Sequence, residues 1–182
     1  TPNSIAGEQV TDGTIVTWPM STSDLPANRA QNITSHVQTD NLDNNLTYVS
    51  YTARLPDANG QLTDVTSHVK LTQNGKQLIF TDDSYLIGLY NAHKDSAFKL
   101  PIIDLVTKAN GDGKLIPNTF QSQFIYNDGS DNTTVNVTSN TVNLHTYDPH
   151  AAKDVEIGDD VEGDTPATIA NQVVENGTVI TY

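Results

Sequence analysis

Three features of the sequence predict a mainly β chain folded as an immunoglobulin-like β-sandwich. Short stretches rich in Val, Ile, Thr, Tyr and Phe recur along its length, and these residues suit a pleated, half-buried surface. Turn pairs punctuate them, at Asp12-Gly13, Asn74-Gly75, Asn110-Gly111-Asp112-Gly113 and Asn127-Asp128-Gly129. Helical spacing is scarce, so only one or two short helices are expected.

Taken in order, residues 5–18 read as a strand pair, or a strand and a turn, with Thr14 to Trp18 rich in β-formers and Pro19 limiting continuation. Residues 23–38 are the best helix candidate. Asp24 stands as a cap, Pro26 suits a first turn, and Ala27, Ala30 and Ile33 recur at helical spacing. Residues 39–45 form an acidic polar turn. Residues 46–55 then alternate, with an irregularity near Ser50. A loop at residues 56–60 leads to a strand over 65–71, which Asn74-Gly75 joins to a return arm at 76–81.

Residues 85–90 are apolar and fit a short helix or a strand, which periodicity does not decide. A strand is expected over 98–106, with Pro101 at an edge or bulge. Another follows over 119–126. Residues 133–145 read as one long strand with clean alternation. The aromatic side chains of Trp18, Tyr48, Tyr51, Phe80 and Phe124 are expected in the core.

Composition narrows the function classes. The chain has 182 residues, enough for one ordinary domain or two small ones. Its net charge of −13 argues against nucleic acid, whose phosphates demand Lys and Arg, and against anionic membrane surfaces. Within these 182 residues no apolar run approaches a membrane span and no signal peptide is read; because Thr1 already lies inside a repeat, such segments have room outside them. There is no cysteine, so an extracellular role needs a source of mechanical strength other than disulfides.

The opening of the chain occurs twice. Residues 1–18 read TPNSIAGEQVTDGTIVTW, and residues 165–182 read TPATIANQVVENGTVITY, an offset of 164. A self-match at a long offset marks a tandem array. Residues 1–150 are therefore expected to form one β-sandwich repeat. Residues 151–182 are expected to be an acidic linker and the first strand of the next repeat.

A Lys153-Asp154-Val155 start leads to a Gly-Thr-Val-x-Thr-Tyr/Trp strand. An acidic turn lies at Asp40 to Asp43, and Ser139-Asn140-Thr141-Val142 comes near the end, after a Phe-bearing strand. This series resembles the isopeptide-forming C-terminal adherence domains of antigen I/II-type surface adhesins of Gram-positive bacteria. The resemblance implies a β-sandwich on a secreted, wall-anchored adhesin, and a Lys-to-Asn isopeptide bond promoted by a nearby acid. It points to Asn140 as acceptor, Asp40 as acid and Lys153 as amine. Such chemistry needs a neutral lysine, which burial favours, and a carboxamide polarised by a protonated acid. Lys153 lies twelve residues before Thr165, so it is expected to serve the following repeat, the equivalent lysine of the first repeat preceding Thr1. The other arrangement is that residues 151–182 fold back, or swap between molecules, and bring Lys153 to Asn140.

Simpler roles stand beside these. Asn140 also reads as a sheet-face Asn and Asp40 as a turn or capping residue. No cofactor is expected. Ca²⁺ is the one ion whose chemistry the pairs Asp40 and Asp43, or Asp82 and Asp83, would suit, but no complete calcium-loop spacing is present. His36, His68, His93, His145 and His150 show no metal-ligand spacing, and no nucleophile elbow or phosphate loop occurs. Ser, His and Asp are common to most chains and give no sign of a triad. Asn-x-Thr sequences at Asn32, Asn45 and Asn132 matter only in a eukaryotic secretory protein. The expected function is a structural or adhesive repeat rather than an enzyme. Its partners are neighbouring repeats, with a host glycan or matrix protein as a further candidate. The alternative is a carbohydrate-binding module of a secreted bacterial protein, which exposed coplanar aromatics beside a groove would favour.

Overall fold

The computed structural model describes residues 4–149, with two short strands beyond them at Glu156–Ile157 and Ile180–Thr181. The chain divides into two compact units, Thr1–Asp148 and Pro149–Tyr182.

The first unit is built of three sheets. Four strands form one layer: β2 (Ile15–Met20), β8 (Ile102–Ala109), β4 (Leu46–Pro56) and β5 (Leu62–Asp64), in that order. Five form another: β11 (Asn132–Thr138), β10 (Phe120–Asn127), β3 (Asn32–Asn41), β7 (Gln77–Asp82) and β6 (Val69–Asn74). A three-stranded sheet orders β1 (Gln9–Thr11), β12 (Val142–Tyr147) and β9 (Leu115–Asn118), with β1 parallel to β12. In the second unit, β13 (Glu156–Ile157) pairs antiparallel with β14 (Ile180–Thr181).

Period-two burial fixes which face each strand turns inward. Val16, Trp18 and Met20 of β2 are buried while Ile15, Thr17 and Pro19 are exposed. Leu78 and Phe80 of β7 and Ile103 and Leu105 of β8 complete the centre of the core. Tyr51 packs edge-on against Phe80, ring centroids 5.2 Å apart, and its hydroxyl donates to the Val69 carbonyl. Trp18 donates its indole N–H to Thr107 Oγ1 at 2.9 Å. Trp18, Phe80 and Phe124 are core residues, with Tyr48 and Tyr51 packed against them. The irregularity expected near Ser50 is a register shift between Tyr48 and Ser50.

Several local expectations are overturned. Residues 23–38 are not helical. Leu25 is buried and forms an isolated bridge with Phe98, Asn28 has a positive φ of 58°, and strand β3 begins at Asn32. The spacing of Ala27, Ala30 and Ile33 was coincidental: both alanines are exposed, and only Ile33 enters the core. The single α-helix among the described residues, α1 (Ser84–Ala92), resolves the open reading of residues 85–90. Asp83 caps it by accepting from the Tyr85 and Leu86 amides. Pro19 does not end β2. As an edge strand with one neighbour, β2 tolerates a missing N–H. The strand expected from residue 65 is preceded by a 3-10 turn, Thr66–His68, and that expected from residue 98 begins only after Pro101. The long strand over 133–145 is two strands in different sheets, β11 and β12, separated at residues 139–141. Strands β5 and β9 had no sequence prediction.

Candidate functional site

Strand β3 is the middle strand of its sheet, and its inward face is polar. A register shift at Ile125/Tyr126 of the β10 pairing sets the parity, so that His36, Gln38 and Asp40 all turn inward and are buried. A central strand with a polar inner face must satisfy each group inside the protein or leave it without a partner.

At one end the satisfaction is complete. His36 Nδ1 donates to Asp82 Oδ2 at 2.7 Å, and His36 Nε2 accepts from the Ser122 hydroxyl at 2.8 Å. Tyr90 also donates its hydroxyl to Asp82 Oδ2. The imidazole stacks on Phe124, centroids 4.4 Å apart. Burial and the neighbouring Asp82 push the Tyr90 phenol far above its ordinary range, keeping it a neutral donor. The order Ser122–His36–Asp82 is that of a hydrolytic triad, which no spacing in the sequence points to. Ser122 and His36 are each only 1% exposed, so no substrate reaches the hydroxyl. This end is a structural lock.

At the other end the satisfaction stops. Asp40 is fully buried, inside β3 rather than in the turn that follows, so its reading as a turn or capping residue does not hold. Its Oδ2 accepts from Asn118 Nδ2 at 3.1 Å, linking the five-stranded sheet to β9. Among the described residues, Asp40 Oδ1, Asn118 Oδ1 and both terminal atoms of Gln38 have no hydrogen-bond partner. Burial pushes the Asp40 carboxyl up to about 6, with the Asn118 hydrogen bond pulling partly the other way. A protonated acid beside a carboxamide is therefore accessible near neutral pH.

Asp40 and Asn118 line a groove of about 760 Å³, which also holds Val16, Trp18 and Met20 of β2 and Val142 and Leu144 of β12. Among the described residues, β2 pairs with β8 alone, so its other edge is unpaired. Asn140 also lines the groove. It is exposed and lies between β11 and β12, not on a strand as the sequence suggested. Its carbonyl accepts from Ser139 Oγ at 2.9 Å. Asp40 and Asn140 thus share one groove, but the carboxamide bonded to Asp40 is that of Asn118. Sequence reasoning missed Asn118 because β9 is four residues long and carries Pro117, leaving too little alternation to detect. Lys153 lies outside the described residues.

The acidic pairs considered for calcium have other roles. Asp83 caps α1, and Asp43 Oδ1 accepts from the Asn45 amide at 2.8 Å. Among the described residues no three His, Cys, Asp or Glu side chains are placed to hold a metal, and no helix is long and apolar enough to cross a membrane.

No family model matches the sequence, and no curated protein matches it. Solved structures do. One is the C-terminal domain of the antigen I/II polypeptide BspA of Streptococcus agalactiae, at 20% identity and TM-score 0.60, covering 79% of this chain and 46% of that one. Another is the C-terminal domain of the antigen I/II-family protein AspA of Streptococcus pyogenes, at 18% identity and TM-score 0.61, covering 79% and 43%. A third is BcpA, the major pilin subunit of Bacillus cereus, at 16% identity and TM-score 0.58, covering 78% and 38%. The chain spans less than half the length of each of these. Its fold is the immunoglobulin-like sandwich of the antigen I/II C-terminal domains, which pilin subunits also carry.

Proposed function

We propose that this chain is a structural or adhesive unit of a Gram-positive cell-surface protein, extending or contributing to attachment to host or matrix. Residues 1–150 are one unit of a tandem array, and residues 151–182 are the linker and opening strand of the next. The fold neighbours, adhesin and pilin domains, support the class. The buried, half-partnered Asp40–Asn118 pair carries the chemistry.

In this reading the groove receives a lysine-bearing segment that, in the array, precedes Thr1. The neutral amine attacks Cγ of an Asn carboxamide. A C–N amide bond forms, the original C–NH₂ bond breaks, and ammonia leaves with the lysine proton. With the Asn118 carboxamide flipped so that its oxygen faces the acid, protonated Asp40 donates to that oxygen as negative charge develops there. The acceptor is Asn118, which takes the role assigned to Asn140 from sequence because Asn118 is buried against Asp40 while Asn140 is exposed. A crosslink near the two ends of a unit would stop a pulling force from peeling its outer strands. By the chain-entropy model a loop of ~130 residues is worth about 5 kcal/mol.

The test is a chain in which a copy of residues 153–164 is placed before Thr1. Its intact mass should be lower by one ammonia. Asp40→Ala and Asn118→Ala should restore the full mass, and Asn140→Ala should not. An unchanged mass in the extended chain would remove the covalent reading, and restoration by Asn140→Ala alone would return the acceptor role to Asn140. The carbohydrate-module reading is less well supported. The exposed aromatics among the described residues are Tyr85 and Tyr147, and Trp18, beside the groove, is held in the core by Thr107. A glycan and matrix-protein binding screen separates attachment from extension.

A further inference from the structure

The second unit contains a pairing that the first does not show among the described residues. In β13 and β14, Glu156 stands opposite Thr181 and Ile157 opposite Ile180. The repeat offset of 164 maps Ile180 onto Val16 and Thr181 onto Thr17. Glu156 and Ile157, three and four residues after Lys153, therefore pair in the second unit with the counterpart of β2. In the first unit β2 pairs with β8 alone among the described residues, so its other edge is unpaired, and β2 borders the groove.

We propose that this edge is a strand-acceptor site, and that its occupant is residues 153–157 of a second copy of this chain, which exchange their pairing with β14 for one with β2. The proposal rests on the reading of the groove given above and names its partner. The register is that of Glu156 and Ile157 in the second unit, continued back along an extended strand to residue 153. Ile157 stands opposite Val16, Val155 opposite Trp18 and Lys153 opposite Met20, and the strand runs antiparallel to β2. Residues directly opposite in an antiparallel pair share a face. Val16, Trp18 and Met20 are the buried residues of β2. The added strand thus turns Lys153, Val155 and Ile157 inward, and Asp154 and Glu156 toward solvent beside Thr17 and Pro19.

This parity matches the chemistry of the groove. Two inward positions are apolar, and the groove wall they meet is Val16, Trp18, Val142 and Leu144. The third is a lysine, whose ammonium has three donors and no acceptor. Asp40 Oδ1 and Asn118 Oδ1 are acceptors without partners, in the same groove. Arg54, the cation that already lines the groove, is engaged by Asp104. Lys153 is the only Lys or Arg in residues 149–182. Each chain has both a donor segment and an acceptor edge, so the contact is head-to-tail. It builds open chains unless the rotation between copies closes a ring.

The experiment uses the full 182-residue chain and two variants in the donor segment, Lys153→Ala and Val155→Asp, which leave the acceptor unit intact. Native mass is measured by light scattering across a concentration series, and intact mass under denaturing conditions. The wild type should self-associate. Val155→Asp should be monomeric, and Lys153→Ala should associate about tenfold or more weakly. A synthetic peptide of residues 151–158 should compete with self-association. Denatured multimers lighter by one ammonia per junction would support both the docking and the covalent reading. Multimers of unaltered mass, abolished by Val155→Asp, would support docking and remove the covalent step. A monomer lighter by one ammonia would mean capture within one chain, overturning the second-copy proposal while keeping the covalent reading. A monomer of unaltered mass, or association indifferent to Val155→Asp, would overturn the proposal outright; the chain with residues 153–164 placed before Thr1 then decides the covalent reading separately.

Discussion

The two ends of β3 present the same face to the same core and solve the same problem differently. Around His36 every polar atom is engaged, by Asp82, Ser122 and Tyr90, and the ring is stacked on Phe124. Around Asp40 there is one internal bond, to Asn118, and buried oxygens remain without partners. Burying an unpaired polar group costs free energy, whereas a completed network specifies a unique core. The first end therefore stabilises the fold. The second carries a cost that the isolated unit does not offset, the signature expected of a site that receives another group.

The largest effect expected from this contrast is at the completed end. His36→Ala removes the stacked ring, leaves Ser122 without its partner and leaves Asp82 with Tyr90 alone. It should destabilise the unit by about 4 kcal/mol, measured by urea unfolding at neutral pH. A loss below about 1 kcal/mol would mean that the network is incidental.

The next effect has the opposite sign. Asp40 binds its proton more tightly in the folded state, at about 6, than its ordinary value of 3.8. Between those two values the folded state holds a proton that the unfolded state has released. Stability therefore falls as pH rises through that window and stays lower above it. Asp40→Asn should remove the fall. It should stabilise by about 2–3 kcal/mol at pH 7.5 and have no effect near pH 4. Urea midpoints at the two pH values check this, and destabilisation at pH 7.5 would show that Asp40 is as well satisfied as His36.

Smaller effects sharpen the boundary between the two ends. Trp18→Phe loses the indole bond to Thr107 while keeping most of the apolar surface. It should cost about 1 kcal/mol. Asn140→Ala, at an exposed position between two strands, should shift stability by less than about 0.5 kcal/mol. A loss of several times that size would restore Asn140 as a structural member of the site.

The contrast also explains what was legible in the sequence. Strands with apolar inner faces were found because hydrophobic alternation reports burial directly, as in residues 76–81 and 119–126. Strand β3 was read partly as helix and partly as turn because its inward residues from His36 onward are polar, so alternation gave no signal. Ala27, Ala30 and Ile33 supplied a spurious helical one. The break between β11 and β12 was invisible for a related reason. Ser139, Asn140 and Thr141 continue the polar pattern of a solvent-facing strand, while the change of sheet is set by tertiary contacts, including Ser139 Oγ accepting from the Phe120 amide at 3.0 Å. Asp40 entered as a candidate only through family resemblance. Asn118 depended on a contact between residues 78 positions apart, which no local pattern encodes. The self-match between residues 1–18 and 165–182 is the most legible pattern in the sequence, and it transfers the β13–β14 register onto β2.

Hydrogen exchange at β2 tests the central claim most directly, by comparing the wild-type chain with Val155→Asp at a concentration where the wild type self-associates. The account predicts that amides on the unpaired edge of Ile15–Met20 are protected in the wild type and exchange faster in the variant, while the outer strands β6 and β11 exchange alike in both. Equal exchange of β2 in the two proteins, or protection that moves to β6 or β11 instead, would contradict it.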